Sequence, residues 1–250
     1  AAGALLGALV AALLERLGAI SHWSRFRERW FVPQARGALV LLALWPWALL
    51  FPAALPLGLG QVWERLEAAL ADVLEGTPFS AWLPAVDLAL EPLSPGGELL
   101  AVALGLLIPC LLGFCIMRHM GRRMLLALSA LAVGVAATAL SALLSYGPAH
   151  AWEWLTPATA IGLGVGLAAA LGLATLPRRG CAAVLLLVLM LHLNLLNQAP
   201  TNAYFAQTLQ AWEQGRFIRF YGLGQWLGWL WPYAALLYVL LRVSRRDVQS

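Results

Sequence analysis

Two groups of polar side chains in this sequence could carry chemistry. The first centres on His192, a histidine deep inside an apolar stretch. An imidazole at that depth could ligate a haem iron or a chlorin magnesium, which makes His192 the candidate cofactor-binding residue, or it could hydrogen-bond to a neighbouring helix. Asn194 and Asn197 extend the same polar edge, and the other histidines lie in connections between apolar stretches. Hydrogen bonding is therefore the favoured interpretation, and no cofactor is identified.

The second group combines an imidazole, a carboxylate and two guanidinium groups. His150 and Glu153 lie in one connection, and Arg216 and Arg219 lie in another that we predict to be on the same side of a membrane. Such a set could bind a lipid-linked phosphate, because arginine makes bidentate contacts with phosphate oxygens. The alternative is that these residues belong to interfacial loops anchored by tryptophan and arginine.

Other functional patterns are absent from the sequence. No carboxylate lies in the middle of an apolar stretch, so a proton or ion pathway has no acidic relay. The three cysteines lie in apolar runs, and neither a C-x-x-C nor an H-E-x-x-H motif occurs. The sequence therefore predicts no catalytic residues and no metal site.

The composition indicates an integral membrane protein. Of the 250 residues, 62% are apolar and 11% are charged, whereas a soluble domain carries about 25% charged residues. All 16 basic residues are arginines, and they are not clustered on one soluble face. We therefore expect the lipid bilayer, and not a nucleic acid, as the partner.

Apolar stretches of spanning length predict an all-α polytopic transmembrane bundle of about seven spans, the first of them partial. A bilayer core of about 30 Å requires about 20 helical residues. Amphipathic spacing after residue 61 predicts further helices lying on the outer surface. The partial span covers residues 1–14, and the six others cover residues 37–51, 97–117, 124–145, 158–176, 181–197 and 223–241.

Charge asymmetry predicts the orientation of these spans. One set of connections holds 13 of the 16 arginines and three of the 12 carboxylates. The positive-inside rule assigns this set, together with the C-terminus, to the cytoplasm. We expect a bacterial inner-membrane protein with a basic cytoplasmic interfacial segment at residues 18–36, a six-span domain at residues 37–250, and outer loops at residues 59–96, 146–157 and 198–222.

The stretch from residue 216 to residue 233 joins an interface to a span. Arginines alternate there with aromatic residues, and tryptophans of the kind that settle at headgroup depth follow. We predict a surface for lipid or a partner protein. Its members are Arg216, Phe217, Arg219, Phe220, Trp226, Trp229 and Trp231, together with His150 and Glu153.

Glycines spaced four residues apart predict close helix packing at two places. They are Gly3 and Gly7 in the partial first span, and Gly162 and Gly166 in a later one. The later glycines lie in an apolar helix with no preceding strand, which argues against a nucleotide-binding loop.

Several segments resemble the C-terminal extension of longer VanZ-family membrane proteins. They are AAGALLGAL, RFRERWFV, ALWPWALLFP, PLGLGQVWERL, LTPAT and YFAQTLQAWEQGRFIRFYGLGQWLGWLWPY. The resemblance implies that residues 1–17 are the end of a VanZ-like helical domain and that the chain begins inside a longer protein. It also implies a bacterial envelope protein, because the founding VanZ protein is associated with teicoplanin resistance. The polar residues that mark the VanZ domain would precede Ala1, so only Gly3 and Gly7 carry over.

Three functional hypotheses remain open. The first is a non-enzymatic VanZ-like envelope protein that acts through lipid or protein contacts. The second is an accessory or scaffold subunit of a larger respiratory or photosynthetic membrane complex, motivated by the 12 tryptophans and the small-residue helix faces. The third is an enzyme or transporter for a lipid-linked envelope precursor, motivated by His150, Glu153, Arg216 and Arg219.

Overall fold

The computed structural model describes residues 19–51, 53, 55–62, 66, 70, 72–77, 93–197 and 223–247. These residues are helical, apart from connections and one isolated β-bridge between Phe31 and Met117. The helices are α1 (Ala19–Trp30), α2 (Arg36–Ala48), α3 (Pro95–Phe114), α4 (Met120–Tyr146), α5 (Pro157–Leu173), α6 (Arg178–Asn197) and α7 (Leu223–Asp247), with a 3₁₀ turn at Pro148–His150. The prediction of an all-α protein is confirmed for this part of the chain.

Helix α3 forms the centre of the bundle. Every residue of α3 from Ala101 to Phe114 is buried, and the helix packs most extensively against α5 and α6. A helix that is apolar on all sides avoids water on all sides, and α3 does so by packing against other helices. α3 begins with a serine cap, because the Ser94 hydroxyl accepts the backbone N–H of Gly97 at 3.2 Å.

The contact between α3 and α5 is close because α5 presents glycine to it. A Cβ atom on Gly162 would lie 2.7 Å from the Leu99 carbonyl oxygen, and one on Gly166 would lie 2.8 Å from the Ala103 carbonyl oxygen. These distances are shorter than van der Waals contact, so the two backbones approach as only glycine allows. Gly3 and Gly7 lie outside the described residues.

Three helices in the described part of the chain are long and apolar enough to cross a membrane: Pro95–Phe114, Met120–Ser145 and Arg178–Asn197. Two further apolar helices, Arg36–Ala48 and Pro157–Leu173, are shorter. The structure thus gives three candidate spans, and the total of about seven stays a prediction. The partial span at residues 1–14 falls outside the described residues.

An irregular segment that follows α2 is buried in the bundle. α2 contains Pro46 and ends at Ala48. Residues 57–60 are all buried, and two of them have left-handed backbone, Leu57 with φ 61° and Gly60 with φ 102°. We call residues 55–62 the buried segment. The sequence predicted an outer loop from residue 59 and did not indicate that this loop begins between helices.

Candidate functional site

Arginines gather at one end of the bundle, and the most buried of them is Arg123 in the first turn of α4. Its side chain is 5% exposed. Nη1 donates to the carbonyl oxygens of Ala174 at 2.9 Å and Leu176 at 2.6 Å, just beyond α5. Nη2 donates to the Met117 carbonyl at 3.1 Å, just beyond α3. Arg123 thus satisfies carbonyls that helix ends leave without intrahelical partners.

Two further arginines make similar contacts at the same end. Arg122 donates to the carbonyl of Arg29, and its guanidinium lies 5.0 Å from the ring centroid of Trp30. Arg242 on α7 donates to the Tyr238 hydroxyl at 3.0 Å and also reaches the carbonyl of Cys115 at 3.4 Å. These contacts tie α1, α4 and α7 together around the end of α3.

An open basin of about 700 Å³ adjoins Arg123 at this end. We call it the arginine basin. Its described lining consists of Arg118, Met120, Arg123 and residues 174–179, which include Arg178 and Arg179. None of these lining residues is acidic, and the four guanidinium groups come from two separate parts of the chain, residues 118–123 and residues 178–179. The arrangement concentrates positive charge in a concave surface and is suited to binding an anion.

His192 lies in the interior and is 1% exposed. Its hydrogen-bond partners are the backbones of Ala101 in α3 and Leu59 in the buried segment, while its Nδ1 atom has no hydrogen-bond partner. A Cβ atom on Gly105 would lie 3.3 Å from Cε1 of the imidazole, so α3 packs directly on the ring. The imidazole therefore links α6 to α3 and to the buried segment.

Neutral groups from α6 and α7 hold the rest of the buried segment. The Asn197 Oδ1 atom accepts the Val62 N–H at 3.3 Å, and the Gly60 N–H donates to the Gly228 carbonyl at 3.1 Å. The Tyr233 hydroxyl donates to the Gly60 carbonyl at 3.2 Å. Buried irregular backbone needs such internal partners, because its surroundings offer no water to take their place.

The outer cluster is only partly within the described residues. The His150 Nδ1 atom lies 2.8 Å from Glu153 Oε1, one helical turn apart, with both side chains about half exposed. An exposed pair of this kind contributes little to stability. Arg216, Phe217, Arg219 and Phe220 fall outside the described residues, so a joint phosphate site at the outer face stays a prediction.

The three tryptophans of the predicted interface differ in position. Trp226 is exposed, and its ring contacts Trp229 edge to face at a centroid distance of 5.6 Å. Trp231, in contrast, is 2% exposed, and its Nε1 atom donates to the Leu41 carbonyl of α2 at 2.7 Å. The assignment of Trp231 to a lipid or partner interface is therefore corrected. It faces α2 because α7 presents opposite sides at positions 226 and 231.

Sequence reasoning missed the structural role of Arg123, which it counted only as a topological charge. It also missed a polar contact at the opposite end of α3, where Glu98 Oε1 accepts hydrogen bonds from the Thr156 and Thr159 hydroxyls, each at 3.3 Å. The available signal was the T-P-x-T pattern, in which Thr156 caps α5 by accepting the Thr159 N–H. Its partner Glu98 is distant in sequence and could not be inferred.

Two groups of polar side chains in the described residues differ in their surroundings. One group, which includes His192, Asn197 and Tyr233, bonds to backbone inside the bundle. The other group consists of the arginines that line the open basin. Among the described residues, no group of three or more histidine, cysteine or acidic residues is placed to hold a metal ion.

Comparison of the chain with protein-family models, with curated proteins and with solved structures finds no match. The resemblance to VanZ-family proteins therefore stays a prediction that rests on the segments quoted above.

Proposed function

We propose that the protein is a non-enzymatic, VanZ-like integral membrane protein of the bacterial envelope that acts through contacts with lipid or with other proteins. The observation that carries this proposal is that buried polar side chains bond to the protein's own backbone. Arg123, His192 and Trp231 each bond to backbone of a neighbouring segment, which favours a structural role for them. In the described part of the chain, the surfaces that remain for function are the exposed apolar helix faces and the arginine basin.

The proposed location is the inner membrane, with the arginine-rich end and the C-terminus in the cytoplasm. Its support is the charge asymmetry of the connections, together with the contacts that bring Arg122, Arg123 and Arg242 to one end of the bundle. Single cysteines at exposed positions test this orientation. A thiol reagent that cannot cross membranes should label Glu153→Cys in intact cells and should label Arg118→Cys only after lysis. The reverse pattern would contradict the proposed orientation.

A second candidate is an accessory or scaffold subunit of a larger respiratory or photosynthetic complex. The observation that favours it is the exposed aromatic surface, where Trp47 on α2 and Trp226 on α7 are both largely exposed. Such rings suit a protein partner as well as a headgroup region. The third hypothesis, an enzyme or transporter for a lipid-linked precursor, depends on Arg216 and Arg219 and on the outer loops.

Purification from the native membrane in a mild detergent, followed by mass spectrometry, separates these functions. A free protein that carries only lipid supports the first proposal. Copurification at fixed stoichiometry with a large complex would replace it with the scaffold function. Alanine at His150, Glu153, Arg216 and Arg219 tests the third hypothesis, which requires that this variant fail to complement a deletion strain.

A further inference from the structure

We propose that the arginine basin binds a phosphate group, supplied either by an anionic phospholipid or by a soluble phosphate compound. This inference deepens the proposed function and rests on it, because it assumes that the bundle lies in a membrane. It concerns the end of the bundle opposite to His150 and Glu153, and therefore does not involve the outer cluster.

The charge and geometry of the basin match a phosphate. Arg118 follows α3, Arg123 belongs to α4, and Arg178 and Arg179 form the first turn of α6. Guanidinium groups bind phosphate oxygens bidentately, and arginine is suited to partly desolvated positions. With no acidic side chain among the described lining residues, the basin repels cations and attracts anions.

Arg123 gives the basin a fixed donor. Its two terminal nitrogens are held by carbonyls of three residues, so the side chain is already ordered before a ligand arrives. Its Nε atom is buried and has no hydrogen-bond partner. A buried donor without an acceptor costs free energy, and an anion in the adjoining basin is a chemically suitable acceptor for it. An ordered donor also loses little conformational freedom on binding.

The N-terminus of α6 adds to the positive electrostatic potential of the basin. Arg178 is the first residue of this helix, so the positive end of the helix dipole lies at the basin. Helix N-termini bind phosphate in many proteins for this reason. Here the helix end supplements four arginines and a buried donor.

An apolar ridge leads away from the basin and favours a phospholipid as the source of the phosphate. Met120 lines the basin, and Met124 and Leu128 follow it on one side of α4 at spacings of four residues. All three side chains are exposed. At 1.5 Å per residue the ridge runs for about 12 Å along the helix. A headgroup in the basin would place its acyl chains against this ridge.

The test uses the full chain in mild detergent, with lipid binding followed by native mass spectrometry. The probes are phosphatidylglycerol, phosphatidylcholine and sodium phosphate. The basin variant is R118Q/R178Q/R179Q, which leaves Arg123 and its structural hydrogen bonds intact. The matched control is R25Q/R27Q/R29Q, which removes the same charge from α1, at the same end of the protein. The Arg122 contact is to the backbone of Arg29 and survives in the control.

We expect the basin variant to bind phosphatidylglycerol at least about tenfold more weakly than the wild type, because charge-assisted contacts are lost. The control should bind within about twofold of the wild type, since α1 contributes no residue to the described lining of the basin and its charges are screened from a ligand there. Phosphatidylcholine should bind the wild type more weakly than phosphatidylglycerol does. If sodium phosphate displaces phosphatidylglycerol from the wild type at similar concentrations, the ligand is a soluble phosphate compound, and otherwise it is a phospholipid.

Two results would overturn the site. One is unchanged phosphatidylglycerol binding in the basin variant, and the other is an equal loss in both triple variants, which would indicate only general attraction to positive charge. Alkaline carbonate extraction of the wild type from membranes tests the underlying assumption separately. Extraction of the protein into the soluble fraction would contradict the proposed membrane function, whatever the lipid measurements show.

Discussion

Helices α3 and α4 are equally apolar, but α3 lies inside the bundle and α4 lies at its surface. The most apolar 18-residue stretch of each has a mean hydropathy of 2.1, yet 78% of that stretch is buried in α3 and 33% in α4. α3 is surrounded by other helices, whereas most of α4 faces outward. High hydropathy thus indicates only that a helix is stable away from water. It does not tell whether the neighbour is protein or lipid.

The two helices differ in where their small residues lie. On α4 the buried stripe consists mainly of small side chains, among them Ala127, Ala130 and Ala137, while Leu125 and Leu128 point outward. This reverses the pattern of a helix in a soluble protein, and it is the pattern expected where packing, and not exclusion of water, holds helices together. On α3 large side chains are buried on every side.

The largest effect is expected from substitution of Arg123, which links the start of the exposed helix α4 to the ends of α3 and α5. Arg123→Met should lower the free energy of unfolding by roughly 3 to 5 kcal/mol, because the carbonyls of Met117, Ala174 and Leu176 lose their charged donor. The control is Arg118→Met, at an exposed position, which should change it by less than about 0.5 kcal/mol. Unfolding in a denaturing-detergent titration measures both. Equal stability of the two variants would show that Arg123 does not hold these helix ends.

Truncation of one leucine on each helix tests the contrast directly. Leu111 on α3 is 0% exposed, and Leu128 on α4 is 50% exposed. Leu111→Ala should cost about 2 to 3 kcal/mol through the cavity that it leaves. Leu128→Ala should cost less than about 1 kcal/mol, because lipid or detergent fills the space. Similar losses in the same titration would mean that α4 is as enclosed as α3.

Alanine substitutions at two glycines of α5 should change the free energy of unfolding in opposite directions. Gly166 faces α3, and Gly164 has no atom within 4 Å of the position where its Cβ would lie. Gly166→Ala should lower the free energy of unfolding by about 1 to 3 kcal/mol through overpacking. Gly164→Ala should raise it by up to about 1 kcal/mol through helix propensity. A stabilising Gly166→Ala would contradict the close contact between α3 and α5.

These comparisons show which parts of the fold could be predicted from the sequence. Long apolar stretches predicted the helices that became α3, α4 and α6, because backbone groups in lipid have few alternatives to a helix. Glycine spacing marked the face of α5 that meets α3. The sequence could not choose α3 as the central helix, since its hydropathy equals that of α4.

The candidate site was less predictable than the fold. Arg123 and Arg118 have the same residue type and lie in the same basic turn, but one is buried against carbonyls and the other is exposed. Their difference arises from the ends of α3 and α5, which meet only in the folded bundle. Likewise, the partners of His192 come from α3 and from the buried segment, both remote in sequence.

The smallest predicted effect distinguishes the two interpretations of His192. As a hydrogen-bonding residue, it should tolerate glutamine, whose amide also donates to carbonyls, with a loss of about 1 kcal/mol. Leucine, which donates nothing, should cost about 1 kcal/mol more. If His192 instead held a haem or chlorin, the purified wild type would show a visible absorption band, and both substitutions would abolish it. A colourless wild type with glutamine more stable than leucine supports the structural role, because glutamine can donate a hydrogen bond that leucine cannot make.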